Sequence, residues 1–350
     1  MKKNIPRTTK LNSSQQRNTL YKYYAGYSEG FVEDIIQLLS LKRADLILDP
    51  WNGSGTTTYV ASKKGISSIG VDINPIMSII ANARLFHKSQ EEYEIGSILK
   101  LSRRYRFKVE ESDSLCNWFS LDTVNILRKI EKAVFNGMFL KEIINQNVNY
   151  SKLQSFYCVV FFNVVKILAS SFKSSNPTWP KKPPINEKKA YSRDEIEWVF
   201  KNEFNNMIQA VENTNLTTEV STNIIIGQSE NLPIQKATVD VVITSPPYCT
   251  RIDYAVMTSL ELAVLNINEK EFNELRHSLI GAPVIHKDQP EVLEQWGETC
   301  INTLLKIKEH SSKASQSYYL KTYLQYFNSM YLSLREIDRA LKNNGRCVLV

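Results

Sequence analysis

Cysteine is scarce and scattered in this chain of 350 residues: Cys116, Cys158, Cys249, Cys300 and Cys347 form no CxxC pair. The four histidines (His87, His277, His286 and His310) share no spacing, with each other or with the thiols. That pattern excludes a zinc site and a disulfide framework, so no metal is expected and a reducing cytoplasm is the expected compartment. Long hydrophobic runs are missing too. The most apolar stretch, Phe156 to Ala169, is too short to span a bilayer and contains Asn163 and Lys166, so no membrane partner is expected. The N-terminus has no apolar core of a secretory signal. Acid is absent from residues 1–28, which carry Lys2, Lys3, Arg7, Lys10, Arg17 and Lys22 and read as a basic, flexible arm. The net charge of +7 suits a polyanionic partner without requiring one.

What is present begins with an α/β rhythm. Phe31, Val32, Ile35, Ile36, Leu38 and Leu39 recur at helical spacing. Leu46-Ile47-Leu48 is a short apolar run ending in Asp49-Pro50, the form of a buried parallel strand. A helix is expected from Thr57 to Lys64, a second strand over Ser68–Asp72, and a helix from Pro75 to Leu85. This β-α-β-α series points to an open, doubly wound sheet. The rhythm then stops. Residues 86–220 are mostly helical in pattern, with a proline- and lysine-rich break at residues 170–189 and an aromatic-rich helix, Phe156–Leu168, expected to form core. Strands return at Asn223–Ile226 and Val239–Ile243, and Arg346 to Val350, after the turn Asn343-Asn344-Gly345, reads as the start of another. An apolar strand at the very end is unusual for such a sheet, so a truncated C-terminus is expected.

Two loops carry the chemistry. The first, Asp49-Pro50-Trp51-Asn52-Gly53-Ser54-Gly55-Thr56-Thr57, runs from a strand into a helix. Gly53 and Gly55 permit a sharp turn and a close backbone approach to a ligand, and the helix start offers free N–H groups. Asp72 ends the next strand about 20 residues on, where a carboxylate can accept ribose hydroxyls of a nucleoside-type cofactor. No Lys follows the second glycine, so the loop is not a Walker phosphate loop. The second loop is Ser245-Pro246-Pro247-Tyr248. Consecutive prolines stiffen the backbone and remove two N–H donors. The Ser245 hydroxyl and the Pro246 carbonyl can then accept the hydrogens of an amino group, whose nitrogen is a poor nucleophile while its lone pair is delocalised. Tyr248 offers a face on which a base can stack.

Across these two loops the chain resembles the DNA amino-methyltransferases of bacterial modification systems, in which a DPF-x-GSGTT loop binds S-adenosylmethionine (AdoMet) and an [S/D/N]PP[Y/F] loop holds the target amino group. Trp51 stands where that family usually has Phe, and Gln228 where it commonly has Asp. The resemblance implies a class I Rossmann-like methyltransferase sheet with a large helical insertion, and AdoMet as cofactor. It assigns cofactor contacts to Tyr24, Ser28 and Phe31 in the segment ahead of the first strand, to Asp49, Pro50, Trp51, Gly53, Ser54, Gly55, Thr56 and Thr57, and to Asp72 and Gln228. It assigns the transfer itself to Ser245, Pro246, Pro247 and Tyr248. Serine before the prolines is the variant associated with N4 of cytosine. N6 of adenine, an RNA amino group and a DNA-binding module that no longer transfers methyl groups are the alternatives. No cysteine lies in a Pro-Cys loop, which argues against carbon-5 chemistry.

The expected organisation is a basic arm (1–28), an AdoMet-binding half (29–85), the helical insertion (86–220) and a catalytic half (221–350). Expected DNA contacts are Lys173, Asn176, Trp179, Lys181 and Lys182 in the basic break, with Arg251 beside the second loop, where Asp253 and Tyr254 also follow. The expected partners are duplex DNA and a cognate restriction nuclease or other defence-system components.

Overall fold

The computed structural model describes residues 6, 20–23, 26–87, 95–145, 151–172, 180–212, 220–250 and 252–350. Among the described residues five strands form one sheet: β1 (Leu46–Asp49), β2 (Ser67–Asp72), β3 (Thr222–Ile226), β4 (Val239–Thr244) and β5 (Leu341–Leu349). They lie in the order β3-β2-β1-β4-β5, and every pairing is parallel. This is the α/β, Rossmann-like sheet that the β-α-β-α rhythm implies. β5 differs from expectation in where it begins. The Asn343-Asn344-Gly345 segment is no turn ahead of the strand but an irregularity inside it: Val239 pairs with Leu341, and Val241 already pairs with Arg346.

Strand pleat distributes the apolar side chains to two faces. Ile47, Val241 and Ile243 point to one face and pack against α1 (Glu29–Leu38) and α2 (Thr56–Lys63). Ser28 caps α1 by accepting from the Phe31 amide, and Phe31, Val32, Ile35 and Ile36 bury the helix's apolar stripe. Leu48, Val71 and Val242 form a separate cluster with Ile337 and Ala340, which belong to the long helix before β5. Asn74 caps α3 (Pro75–Arg84), with Pro75 in the first helical position.

The insertion supplies α4 (Ile95–Ser102), α5 (Leu121–Val134), α6 (Leu140–Asn145), α7 (Lys152–Leu168) and α8 (Arg193–Glu212). A Ser151/Gln154 capping box starts α7. Phe156, Val159, Val160, Phe162, Val164 and Val165 are all fully buried, so the helix is apolar around most of its circumference and lies in the interior. It packs on α3, where the Phe86 and Phe156 rings approach to 4.9 Å, and one continuous core joins α3 to the insertion. Inside that core Arg128 is paired with Asp113 at 2.8 Å and Glu131 at 2.6 Å, and donates to the carbonyls of Ala263 and Val264. Those carbonyls end the second of two short helices after β4, α9 (Tyr254–Met257) and α10 (Ser259–Val264). Three more helices follow: α11 (Glu269–Ser278), α12 (Glu298–Glu309) and α13 (Leu320–Ala340), which leads into β5. Among the described residues no helix is long and apolar enough to cross a membrane, and no group of three potential ligands could hold a metal ion.

Candidate active site

Sheet order creates the site. β1 lies between β2 and β4, so the chain leaves β1 in one direction and β4 in the other, and a crevice opens at their carboxyl ends. Both loops singled out in the sequence leave from that edge. They line one cleft.

On the β1–β2 side the loop is shaped by its glycines. Gly53 (φ +49°) and Gly55 (φ +80°) both take left-handed backbone conformations. A Cβ on Gly55 would stand 2.7 Å from the Ala81 Cβ, so that glycine also lets α2 and α3 approach. The Gly53 amide donates to Asp72 Oδ2 at 2.9 Å, and the Asn74 amide donates to Oδ1 at 2.9 Å. Burial pushes the Asp72 carboxyl up to about 6 despite these two amides. It lines the cleft with acceptor capacity left over for a ligand's hydroxyls. Asn52 is held from below: its amide donates to Val71 O at 3.0 Å, and its side chain lies flat on Gly70, where a Cβ would come within 2.4 Å.

Asp49 has a different place from the one its motif suggests. It is 1% exposed and does not line the cleft. Its carboxylate accepts from Thr244 Oγ1 (2.5 Å), Tyr27 Oη (2.9 Å) and the Trp51 amide (3.2 Å). Burial raises its pKa, and these hydrogen bonds work against that rise. One carboxylate therefore ties the first loop, the segment before α1 and the end of β4 together. Thr57 joins this knot, bonding to Tyr27 and donating to Ile243 O at 3.2 Å.

On the β4 side, the Ser245 hydroxyl donates to Val350 O at 3.2 Å, which leaves its lone pairs available as acceptors. Tyr326 of α13 donates to Pro247 O at 3.0 Å and fixes the proline pair from behind. Gly281 (φ +75°) passes so close that a Cβ would lie 2.5 Å from Tyr248 O. Its own carbonyl accepts from the Thr250 amide at 2.9 Å. The Tyr248 ring stays 50% exposed at the cleft.

Of the expected cofactor contacts, Pro50, Trp51, Gly53, Ser54, Thr56, Asp72 and Gln228 line the cleft. Ser28, Phe31, Asp49, Gly55 and Thr57 do not: they cap, pack or anchor the elements that form it. Ser245, Pro246, Pro247, Tyr248 and also Tyr254 line it from the other side. Tyr24, Lys173, Asn176, Trp179 and Arg251 lie outside the described residues. Asp253 is buried, caps α9 and pairs with Arg276 at 2.6 Å, so it is a structural anchor. Lys181 and Lys182 are exposed along a second groove beside Trp118, whose indole donates to Lys181 O at 3.1 Å. Sequence reasoning missed Tyr23, Asn74, Met77 and the Leu279-Ile280 pair, all of which line the cleft. Only Asn74, as a cap immediately before Pro75, carried a local signal.

Comparison with known proteins follows the same lines. A DNA methylase family model matches residues 3–82. The Type II methyltransferase M.BsoBI of Geobacillus stearothermophilus is 28% identical over 310 residues, covering 81% of this chain and 60% of that protein. M.AvaI of Nostoc sp. is 22% identical over 366 residues, 97% of this chain and 74% of that protein. M.MvaI of Kocuria varians is 21% identical over 363 residues, 95% of this chain and 75% of that protein. The chain thus spans 60% of the first relative's length and about three quarters of the other two. No solved structure matches it.

Proposed function

The chain is a relative of the bacterial DNA amino-methyltransferases, and from that premise we propose that it transfers a methyl group from AdoMet to an exocyclic amino group in duplex DNA, N4 of cytosine by preference. One observation carries the reading: the Gly53–Asp72 pair and the Ser245–Tyr248 loop face the same cleft.

The residues present fit AdoMet. Asp72 would accept from its ribose hydroxyls, Gln228 and Trp51 would border its adenine, and Tyr23, Gly53 and Ser54 would enclose its methionine end. Bound there, AdoMet supplies a methyl group already activated for displacement by its sulfonium centre. The protein's task is to bring an amino nitrogen to that methyl. A base turned out of the duplex, at a cost of a few kcal/mol, would stack on the exposed Tyr248 ring. Ser245 Oγ, its own hydrogen committed to Val350 O, accepts one amino hydrogen, and the Pro246 carbonyl accepts the other. Both acceptors draw the nitrogen toward a tetrahedral form and stabilise the positive charge that develops on it as S-adenosylhomocysteine departs; the methylated nitrogen then gives up its extra proton to solvent. Proline rigidity and the Tyr326 bond to Pro247 O mean that these acceptors need no reorganisation as the charge forms. Serine before the prolines is the variant that the family it resembles associates with N4 of cytosine, and on that ground N4 is the preferred target. Lys181 and Lys182 would contact phosphates, and a cognate restriction nuclease would be the functional partner.

The test is nucleoside mass spectrometry of plasmid DNA incubated with the protein and isotopically labelled AdoMet, beside Ser245→Ala. Labelled N4-methylcytosine is expected, with a fall of about 10²–10³-fold in the variant if Ser245 acts as a preorganised acceptor. N6-methyladenine would keep the mechanism and overturn the base assignment. Absence of label in DNA, with AdoMet bound, would overturn the substrate assignment.

A further inference from the structure

A buried carboxylate outside the cleft connects three separate elements, and the transfer chemistry does not use it. Glu261 on α10 is 1% exposed. Its Oε1 accepts from Tyr21 Oη at 2.6 Å and lies 3.2 Å from Lys166 Nζ of α7. The same ammonium stands 4.1 Å from the Tyr21 ring centroid, so phenol, carboxylate and ammonium close a triangle. Burial and the neighbouring Glu261 raise the Tyr21 pKa well above its usual value, which keeps the phenol a donor. One turn earlier on α7, Asn163 Nδ2 donates to Leu20 O at 2.9 Å. Residues 20 and 21 are thus tied to the insertion and to α10 at once.

Two residues on, Tyr23 lines the cleft. Its ring lies against Gly53, where a Cβ would be 3.3 Å from Cε1, and it is close enough to Asp72 and Tyr254 for both to raise its pKa further after burial has done so. The stretch carrying Glu261 also touches the Asp72 turn directly. Thr258, one turn before Glu261, accepts from Asn74 Nδ2 at 3.0 Å, and the Asn74 amide is one of the two that hold Asp72.

We infer that Glu261 is a positioning residue for the cofactor: through Tyr21 it holds Tyr23 against Gly53, so that one wall of the cleft is set from the insertion and the target-side helices together. This rests on the methyltransferase reading. Removing the Tyr21 hydroxyl leaves the buried carboxylate with Lys166 alone, which is costly, and here the consequence is delivered to Tyr23 rather than to the fold alone.

The test is equilibrium binding of S-adenosylhomocysteine to the full chain by calorimetry, which needs no turnover. Tyr21→Phe and Glu261→Ala should each weaken binding about tenfold, the size of one lost hydrogen bond to a charged group. Glu261→Gln, which still accepts from Tyr21, should restore most of the affinity. In a Tyr23→Ala background Tyr21→Phe should cost nothing more, a result that general destabilisation would not produce. Tyr21→Phe keeps the ring and carries the test if Glu261→Ala does not fold. Unchanged affinity in Tyr21→Phe, or an equal loss with Tyr23 already removed, would overturn the positioning role alone. Failure of the unmodified protein to bind the ligand would instead overturn the methyltransferase reading, and this role with it.

Discussion

Asp72 offers the sharpest quantitative test of the cofactor assignment. Its carboxyl is pushed up to about 6 by burial, so the acceptor that a ribose diol needs is titrated in an accessible range. For an acid the ionised form is lost as the pH falls through that value. With a pKa of about 6, roughly nine-tenths is ionised at pH 7 and about one-tenth at pH 5. If only the carboxylate accepts from the ribose, AdoMet affinity should drop about tenfold between pH 7 and pH 5 and level off above pH 7. Asp72→Asn has no such titration, so its affinity should be weak throughout and its pH slope should lack this component. Calorimetric titration of both proteins at pH 5, 6, 7 and 8, taken as a ratio, cancels any titration of the ligand itself. A ratio that stays flat across the series would refute the assignment of Asp72 as the ribose acceptor.

Three further outcomes follow from the geometry. Tyr248→Ala should weaken DNA binding by about 1–3 kcal/mol, the value of a base-stacking face, and leave AdoMet affinity unchanged, as fluorescence anisotropy and calorimetry would show. Gly70→Ala places a Cβ 2.4 Å from Asn52 Cγ, so Asn52 must leave its seat and AdoMet affinity measured by calorimetry should fall. Arg128→Met leaves Asp113 and Glu131 buried without their partner and should lower stability by about 3–5 kcal/mol in urea unfolding.

Much of the sheet was legible because its elements are locally encoded. Leu46–Leu48 and Val239–Ile243 are short apolar runs between breakers, and Asn74-Pro75 is a cap followed by a first-turn proline. The two loops were legible for a similar reason: glycine and proline impose backbone constraints that hold in any surroundings. Side-chain roles were less so. Asp49 and Thr57 belong to the first loop's motif, yet their side chains turn inward to Tyr27, Thr244 and Ile243, partners far away in sequence. Tyr23, Tyr326 and Gly281 showed no local periodicity or motif that would set them apart from ordinary surface or core positions.

By itself the sequence determined a glycine-bearing loop between strand and helix, an acid at the end of the following strand and a rigid proline loop, because each is specified within a few residues. Only the tertiary structure decided that they line one cleft. That depends on β4 pairing with β1 rather than with β3, a choice made by the packing of apolar faces on α1, α2 and α13. It also decided that the helices between α3 and β3 pack on α3 and on residues 20 and 21. The core of α7 continues into α3, and Lys166 and Asn163 reach residues 20 and 21. Hydrophobic patterning specifies which face of a helix is buried but not what it is buried against.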